Sequence, residues 1–190
     1  GGQAILTGPV GLDTAGFRIS ALLRSAEMST DGLVLDTGRK TTRKTRIIAN
    51  GQQIARLDSE ILVPIPDNTE KTILEFADCK MESGIGAIVI SDYAKGCITA
   101  SLVRAVCLTA QRLDIPVFVD PKVSHRNFYR NTTITAMTPN QHEACDLVDA
   151  AYEIDTTGSP SIGSRILSDY WHRYVVITRG EYGMSLYDGD

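Results

Sequence analysis

Ala87-Ile88-Val89-Ile90-Ser91-Asp92-Tyr93-Ala94-Lys95-Gly96 decides the fold. Four aliphatic residues in a row read as a short buried strand, and the polar, glycine-ended stretch after them as a loop at its carboxyl end. The pattern recurs downstream. Val117–Val119 is followed by Asp120-Pro121-Lys122, Thr133–Met137 by Thr138-Pro139-Asn140, and Tyr174–Thr178 by Arg179-Gly180. Helical spacing over 99–113, 140–148 and 158–170 fills the intervals. Short apolar strands alternating with helices predict an α/β fold whose parallel sheet is covered on both faces. Met184–Tyr187, after a Glu181-Tyr182-Gly183 turn, reads as an antiparallel edge strand.

Upstream, Ala4–Thr7 reads as a strand ending in a Gly8-Pro9 turn. Residues 13–28 read as a helix capped by Asp13 or Thr14, residues 32–36 as a strand, and residues 65–81 as a helix opened by Ile65-Pro66-Asp67. Residues 43–49 and 52–58 are strand-like and joined by Asn50-Gly51, a pair suited to a two-residue type I′ turn. Such a turn sets Ala49 opposite Gln52, Ile47 opposite Ile54, Thr45 opposite Arg56 and Arg43 opposite Asp58. The hairpin lies outside the strand–helix alternation, so 33–60 reads as an inserted β flap within one domain spanning 1–190.

The chain has 190 residues, enough to bury a core. Lys and Arg total 19 against 23 Asp and Glu, a net charge of −4, which argues against nucleic acid as the partner. Five cations and no acid fall within 38–46, a strip suited to a small anionic ligand. No apolar run is long enough for a membrane span and no secretory leader is visible. The four cysteines have no metal-ligand spacing and read mostly as buried thiols. The three histidines read as packing or surface residues. GxxxxGK[ST], GxSxG and HExxH motifs are all absent, and Gly84-Ile85-Gly86 precedes a strand, so it is no dinucleotide fingerprint.

Ligands of open α/β sheets bind at the carboxyl edge. Four strand-end segments converge there, and their residue types suit phosphate. Lys95 and Lys122 are cations, Gly96, Gly180 and Gly183 permit close backbone approach, and the helix beginning near Asn140 offers free N–H groups. Asn140 and Glu143 share a helix face and could orient Mg²⁺-bound water. Each also has a plainer reading: Asp92, Thr138 and Asn140 as helix caps, Lys122 as a solvated loop cation.

The segments TTRKTRIIANGQQIARLD, SDYAKG, VDPK, TPNQHE and VVITRGEYGMSL together resemble, in order, the ribokinase/PfkB carbohydrate kinases. Within them they resemble the D-glycero-D-manno-heptose-7-phosphate kinase domain of bifunctional ADP-heptose synthase. The resemblance implies a ribokinase-like three-layer fold and transfer of the γ-phosphoryl group of ATP, with Mg²⁺, to the anomeric 1-position of the sugar phosphate, for ADP-heptose and lipopolysaccharide core synthesis in the cytoplasm. It implies that Arg56 and Asp58 face the sugar phosphate, that Asp92, Lys95 and Gly96 line the sugar pocket, and that Lys122 neutralises phosphate. It places Asn140 and Glu143 at the Mg·ATP end, with Glu143 reaching the metal indirectly, and Thr178, Gly180 and Gly183 on nucleotide phosphates. It also implies pairing of two copies through the flap. The family's GAGD motif, whose Asp is the general base, is expected beyond Asp190, so the 190 residues read as an incomplete and inactive domain. Residues 121–131, PKVSHRNFYRN, lack the glycine usual after DPK in this branch. A ribokinase-like kinase of another sugar or sugar phosphate and a non-catalytic sugar-phosphate- or nucleotide-binding remnant are the alternatives.

Overall fold

The computed structural model describes residues 2–150, 161–170 and 172–189. The chain forms two compact units, one of residues 1–77 with 95–97, the other of residues 78–94 with 98–190.

In the first unit, β1 (Gly8–Val10) pairs in parallel with β2 (Leu33–Leu35). The strand therefore lies beyond the expected Ala4–Thr7, and Gly8-Pro9 is inside it. Pro9 lacks an N–H, which a two-stranded sheet tolerates because one edge of each strand carries no partner. Between them, α1 (Thr14–Ser25) is capped by Asp13, whose carboxylate accepts from Gly16 N at 2.8 Å and Thr41 N at 2.8 Å. These two backbone donors, that of Gly16 first, hold the Asp13 carboxyl below its ordinary range.

β3 (Arg43–Ala49) and β4 (Gln52–Ser59) form the expected hairpin, with Asn50 at φ 51° and Gly51 at φ 77° as a type I′ turn requires. The register departs from expectation after two pairs. Ile48 faces Gln53 but Ile47 faces Ala55, leaving Ile54 as the extra residue of a bulge. One inserted residue shifts every later partner by one. Ile47 therefore does not face Ile54, Thr45 faces Leu57 rather than Arg56, and Arg43 faces Ser59 rather than Asp58. Arg56 now sits opposite Arg46, an unfavourable like-charge pair. It turns instead along its own strand to Asp58 at 3.0 Å.

The cationic strip also differs from its reading. Lys40, Arg43, Lys44 and Arg46 are exposed, but Arg39 is buried. Its guanidinium donates to the carbonyls of Ile61 (2.9 Å), Val63 (2.6 Å) and Lys95 (3.1 Å), and Asp36 lies 3.6 Å away. α2 (Asp67–Glu82) follows.

The second unit is built on a five-stranded sheet in the order β5-β6-β7-β8-β9. β5 (Ile88–Ser91), β6 (Val117–Asp120), β7 (Ala136–Met137) and β8 (Tyr174–Thr178) are parallel, and β9 (Met184–Asp188) runs antiparallel to β8, as the alternation predicted. β7 is shorter than expected, although Thr135 just before it still bonds to both neighbouring strands: its N donates to Val117 O at 2.8 Å and its O accepts from Tyr174 N at 3.0 Å. The helices are α3 (Ala100–Arg112), capped by Thr99, α4 (Gln141–Leu147) and α5 (Ile162–Tyr170), which packs on β8 and β9. The first residues of the predicted 158–170 helix lie outside the described residues.

Val103, Val106 and Ala110 of α3 are buried with Val117, Val119, Met137, Val175 and Ile166 to make the core. Coverage is not uniform, since Val89, Met184 and Leu186 are exposed. β5 and β9 are the two ends of the described sheet, so each has a strand neighbour on one side only. Of the cysteines, Cys107 and Cys145 are buried, but Cys79 is exposed and Cys97 half-buried. Burial pushes the Cys107 thiol up to about 11. No described helix is long and apolar enough to cross a membrane.

Candidate functional site

Hydrogen bonds that continue past the strand ends align the four predicted loops in the second unit. Asp92 N donates to Asp120 O (3.0 Å), Thr138 N to Val119 O (2.9 Å) and Thr178 N to Pro139 O (3.0 Å), and Asn140 forms a parallel bridge with Thr178. The parallel register therefore delivers these loops side by side.

A cleft of ≈ 530 Å³ opens on this edge. Lys122, Asn140, Glu143, Thr178 and Gly180 line it, so five of the predicted residues share one wall-to-wall space. Arg179, singled out less than its neighbours in the sequence, lines it too, as do His142 and Asp146. The signal for Arg179 was its position directly after β8; its half-buried guanidinium donates to Ser185 Oγ at 3.3 Å.

Asn140 and Glu143 form a reciprocal cap. Asn140 Oδ1 accepts from Glu143 N at 2.9 Å, and Glu143 Oε2 accepts from Asn140 N at 3.1 Å. The other carboxylate oxygen, Oε1, lies 3.7 Å from Lys122 Nζ. Capping thus orients the Glu143 side chain toward the lysine that ends the β6 loop. Asp120, beside them, has its carboxyl raised, first by burial and then by the charges of Glu143 and Asp92, with Lys122 opposing.

Gly180 (φ 58°) and Gly183 (φ 79°) frame a one-turn 3-10 helix, and Gly183 O accepts from Arg179 N at 2.8 Å. A Cβ at either would meet nothing within 4 Å, so their left-handed backbone, rather than crowding, calls for glycine. Gly183 is not in the cleft lining.

Asp92 is buried at the end of β5. It accepts from Ala94 N (2.7 Å), Tyr129 Oη (2.5 Å) and His125 Nδ1 (2.7 Å). It closes the turn after β5, in keeping with the plainer reading in kind, but it caps no helix; Thr99 caps α3. Neither Tyr129 nor His125 was singled out from sequence as a site residue; His125 packs on Phe128, in keeping with the packing reading, and also meets Asp92.

Arg56, Asp58, Lys95 and Gly96 belong to the first unit. Lys95 Nζ lies 2.6 Å from Glu60 Oε1. Gly96 adopts φ 77°, and a Cβ there would stand 2.0 Å from Val63 O, so the close approach it permits is to the chain's own carbonyl.

Among the described residues no cluster of three or more His, Cys, Asp or Glu side chains could hold a metal. With two carboxylates, Glu143 and Asp146, in its lining, the cleft fits a divalent ion carried in by an anionic ligand better than an all-protein cage.

The pfkB family carbohydrate kinase profile matches residues 1–190. The chain belongs to this family. It is 34% identical over its whole length to the bifunctional protein HldE of Trichlorobacter lovleyi and 38% identical over 159 residues to that of Geobacter sulfurreducens. It spans 38% and 31% of those two proteins, respectively. Among solved structures, Escherichia coli phosphofructokinase-2 superposes on the full chain with a TM-score of 0.72 at 19% identity, the match covering 60% of that enzyme. Arabidopsis thaliana ribokinase, solved with ribose and ATP, covers 98% of the chain with a TM-score of 0.66 at 14% identity, and 58% of that enzyme is matched. The pfkB chain therefore has a ribokinase-like α/β fold with a parallel-rich sheet and a β-hairpin.

Proposed function

We propose that this pfkB chain is the binding portion of an ATP-dependent kinase that phosphorylates D-glycero-D-manno-heptose 7-phosphate at its anomeric 1-position in the cytoplasm. The observation carrying the reading is the cleft that joins Lys122, Glu143, Thr178 and Gly180 at the sheet's carboxyl edge. The identity to HldE over the whole chain supports the heptose branch.

Phosphoryl transfer is mostly positioning and charge neutralisation. Lys122 and Arg179 place two cations in the cleft; Thr178, Gly180 and Gly183 are assigned to nucleotide phosphates, with the Thr178 and Gly183 N–H groups already donating to Pro139 O and Gly180 O. Mg²⁺, when bound with ATP, supplies further neutralisation of phosphate charge. Glu143, held by Asn140, is the cleft carboxylate we assign to it through water. Lys95 and Gly96 are assigned to the sugar and Arg56 and Asp58 to the sugar phosphate; Asp92, buried and held by three internal donors, is assigned to the sugar through the groups it holds. The hydroxyl's proton acceptor is assigned outside residues 1–190, because no GAGD segment occurs in this sequence. Exposed Ile47 and Leu57 on one face of the hairpin, and Ile48 on the other, give it apolar surface for a second copy of the chain.

Residues 121–131 favour a second reading, a kinase of another sugar phosphate, because this segment departs from the heptose branch. ATP consumption by the full-length protein containing residues 1–190, with heptose 7-phosphate, fructose 6-phosphate and ribose offered in parallel, separates the two. Turnover with the heptose alone supports the first. Turnover only with another sugar overturns it, and turnover by residues 1–190 alone overturns the placement of the base.

A further inference from the structure

The 3-10 segment Val123–Phe128, kinked at His125 (φ −106°, ψ 15°), lies in the stretch that lacks the glycine usual after DPK and brings His125 to Asp92 after β5. Its ring is held on two sides. His125 Nδ1 lies 2.7 Å from Asp92 Oδ2, and Phe128 stacks on the ring with centroids 4.4 Å apart. The Asp92 side chain is only 1% exposed, and among the described residues no Lys or Arg pairs with it. Its charge is met by three hydrogen bonds, from Ala94 N, Tyr129 Oη and His125. Tyr129 is itself buried, and its hydroxyl also accepts from Lys122 N at 3.2 Å. The carboxylate is therefore fixed before it meets the histidine.

An ionised carboxylate only accepts, so Nδ1 carries the hydrogen. In the neutral ring Nε2 is then a bare acceptor. Nε2 makes no hydrogen bond among the described residues and is not among their buried, unpartnered atoms, and the side chain is 20% exposed. A histidine serving only to pack would not need a buried carboxylate to select its tautomer while its other nitrogen faces outward. His125 does not itself line the cleft; its N donates to the carbonyl of Lys122, which does, at 2.8 Å.

We propose that His125 is a substrate-contacting residue: Asp92 and Tyr129 hold its ring so that Nε2 accepts a hydrogen bond from a hydroxyl of the sugar. This deepens the kinase reading and rests on it for the identity of the ligand. It gives the departing 121–131 segment a role in choosing the sugar, while Asp92 acts as a positioning residue for the ring.

The test combines kinetics and ¹⁵N NMR of histidine side chains in the full-length protein containing residues 1–190. The free protein is expected to show His125 as the Nδ1–H tautomer. Heptose 7-phosphate should move its Nε2 resonance, whereas ATP alone should not. His125→Asn keeps an amide donor toward Asp92 but removes Nε2; it should raise the sugar KM about fivefold or more and leave the ATP KM within about twofold. His125→Gln, whose amide reaches the Nε2 position, should restore part of the sugar affinity. If wild type turns over the sugar and His125→Asn keeps its sugar KM, the inference falls and the kinase reading stands. If no sugar is phosphorylated but Nε2 still responds to sugar phosphate, the kinase reading falls and the inference stands. A resonance that no sugar phosphate moves, or an Nε2–H tautomer, overturns the inference.

Discussion

The guanidinium of Arg39 stands 2.6 Å from the carbonyl oxygen of Val63, and through the same side chain it holds Ile61 and Lys95. One buried cation thus ties the segment after the hairpin to the Lys95–Cys97 strip. Arg39→Ala would leave three carbonyls without this donor and remove the cation beside buried Asp36, which would keep its bond from Gly38 N. We expect a loss on the order of 3 kcal/mol in the first unit's stability, read as a lower urea midpoint. Arg39→Lys should recover little, because one ammonium cannot reproduce the planar fork. Full recovery with lysine would show that charge alone matters.

Tyr129→Phe removes the donor to Asp92 without changing the ring's volume much. The hydroxyl is held protonated by burial first and by its bond to Asp92 second, so it is a donor at any working pH. Its loss leaves a buried carboxylate with two donors instead of three, at a cost of about 1–3 kcal/mol. Thermal unfolding should report that cost. A variant as stable as wild type would mean that water replaces the hydroxyl.

Much of this arrangement was legible because β-strands advertise themselves. Ala87–Ile90 and Tyr174–Thr178 are short apolar runs, and whatever follows a parallel strand lands at one edge, so the sequence alone puts Lys122, Asn140 and Thr178 together. The Asn140–Glu143 spacing of three was legible but ambiguous, since a reciprocal cap and a metal-side pair need the same spacing. The bulge at Ile54 was not legible, because the Asn-Gly turn sets only the first pairs and one unpaired residue then displaces the rest. Nor was the burial of Arg39, whose partners lie 22, 24 and 56 residues away. The bond from His125 to Asp92 spans 33 residues and exists only because parallel pairing sets β5 beside β6.

His172 gives a prediction in pH. It is 4% exposed, neither ring nitrogen has a hydrogen-bond partner among the described residues, and burial lowers its pKa to about 4. In the unfolded chain it titrates near its ordinary 6.5. Between these values the unfolded state binds the proton and the folded state does not, so stability falls as pH drops from about 6.5 toward 4. The full span is worth roughly 3 kcal/mol. His172→Phe should flatten that part of the stability–pH curve, measured by urea unfolding at pH 7, 6, 5 and 4. An unchanged slope in the variant would assign the acid sensitivity to other groups.

Glu143 has two tasks that different substitutions separate. As a cap it needs only an acceptor for Asn140 N, which Gln supplies, so Glu143→Gln should cost well under about 1 kcal/mol of stability. Glu143→Ala loses the cap as well and should cost about 1 kcal/mol. Toward a nucleotide the two should behave alike, because both remove the carboxylate that faces Lys122. In the full-length protein, ATP turnover should fall about tenfold or more in both variants, as when a group near a phosphate-bound cation loses its charge. Added Mg²⁺ should recover part of the loss. If Glu143→Gln keeps wild-type turnover across a Mg²⁺ titration, the residue is a helix cap and nothing more, and the metal-side assignment must move to another carboxylate, with Asp120 the next to test because Lys122 already moderates its charge.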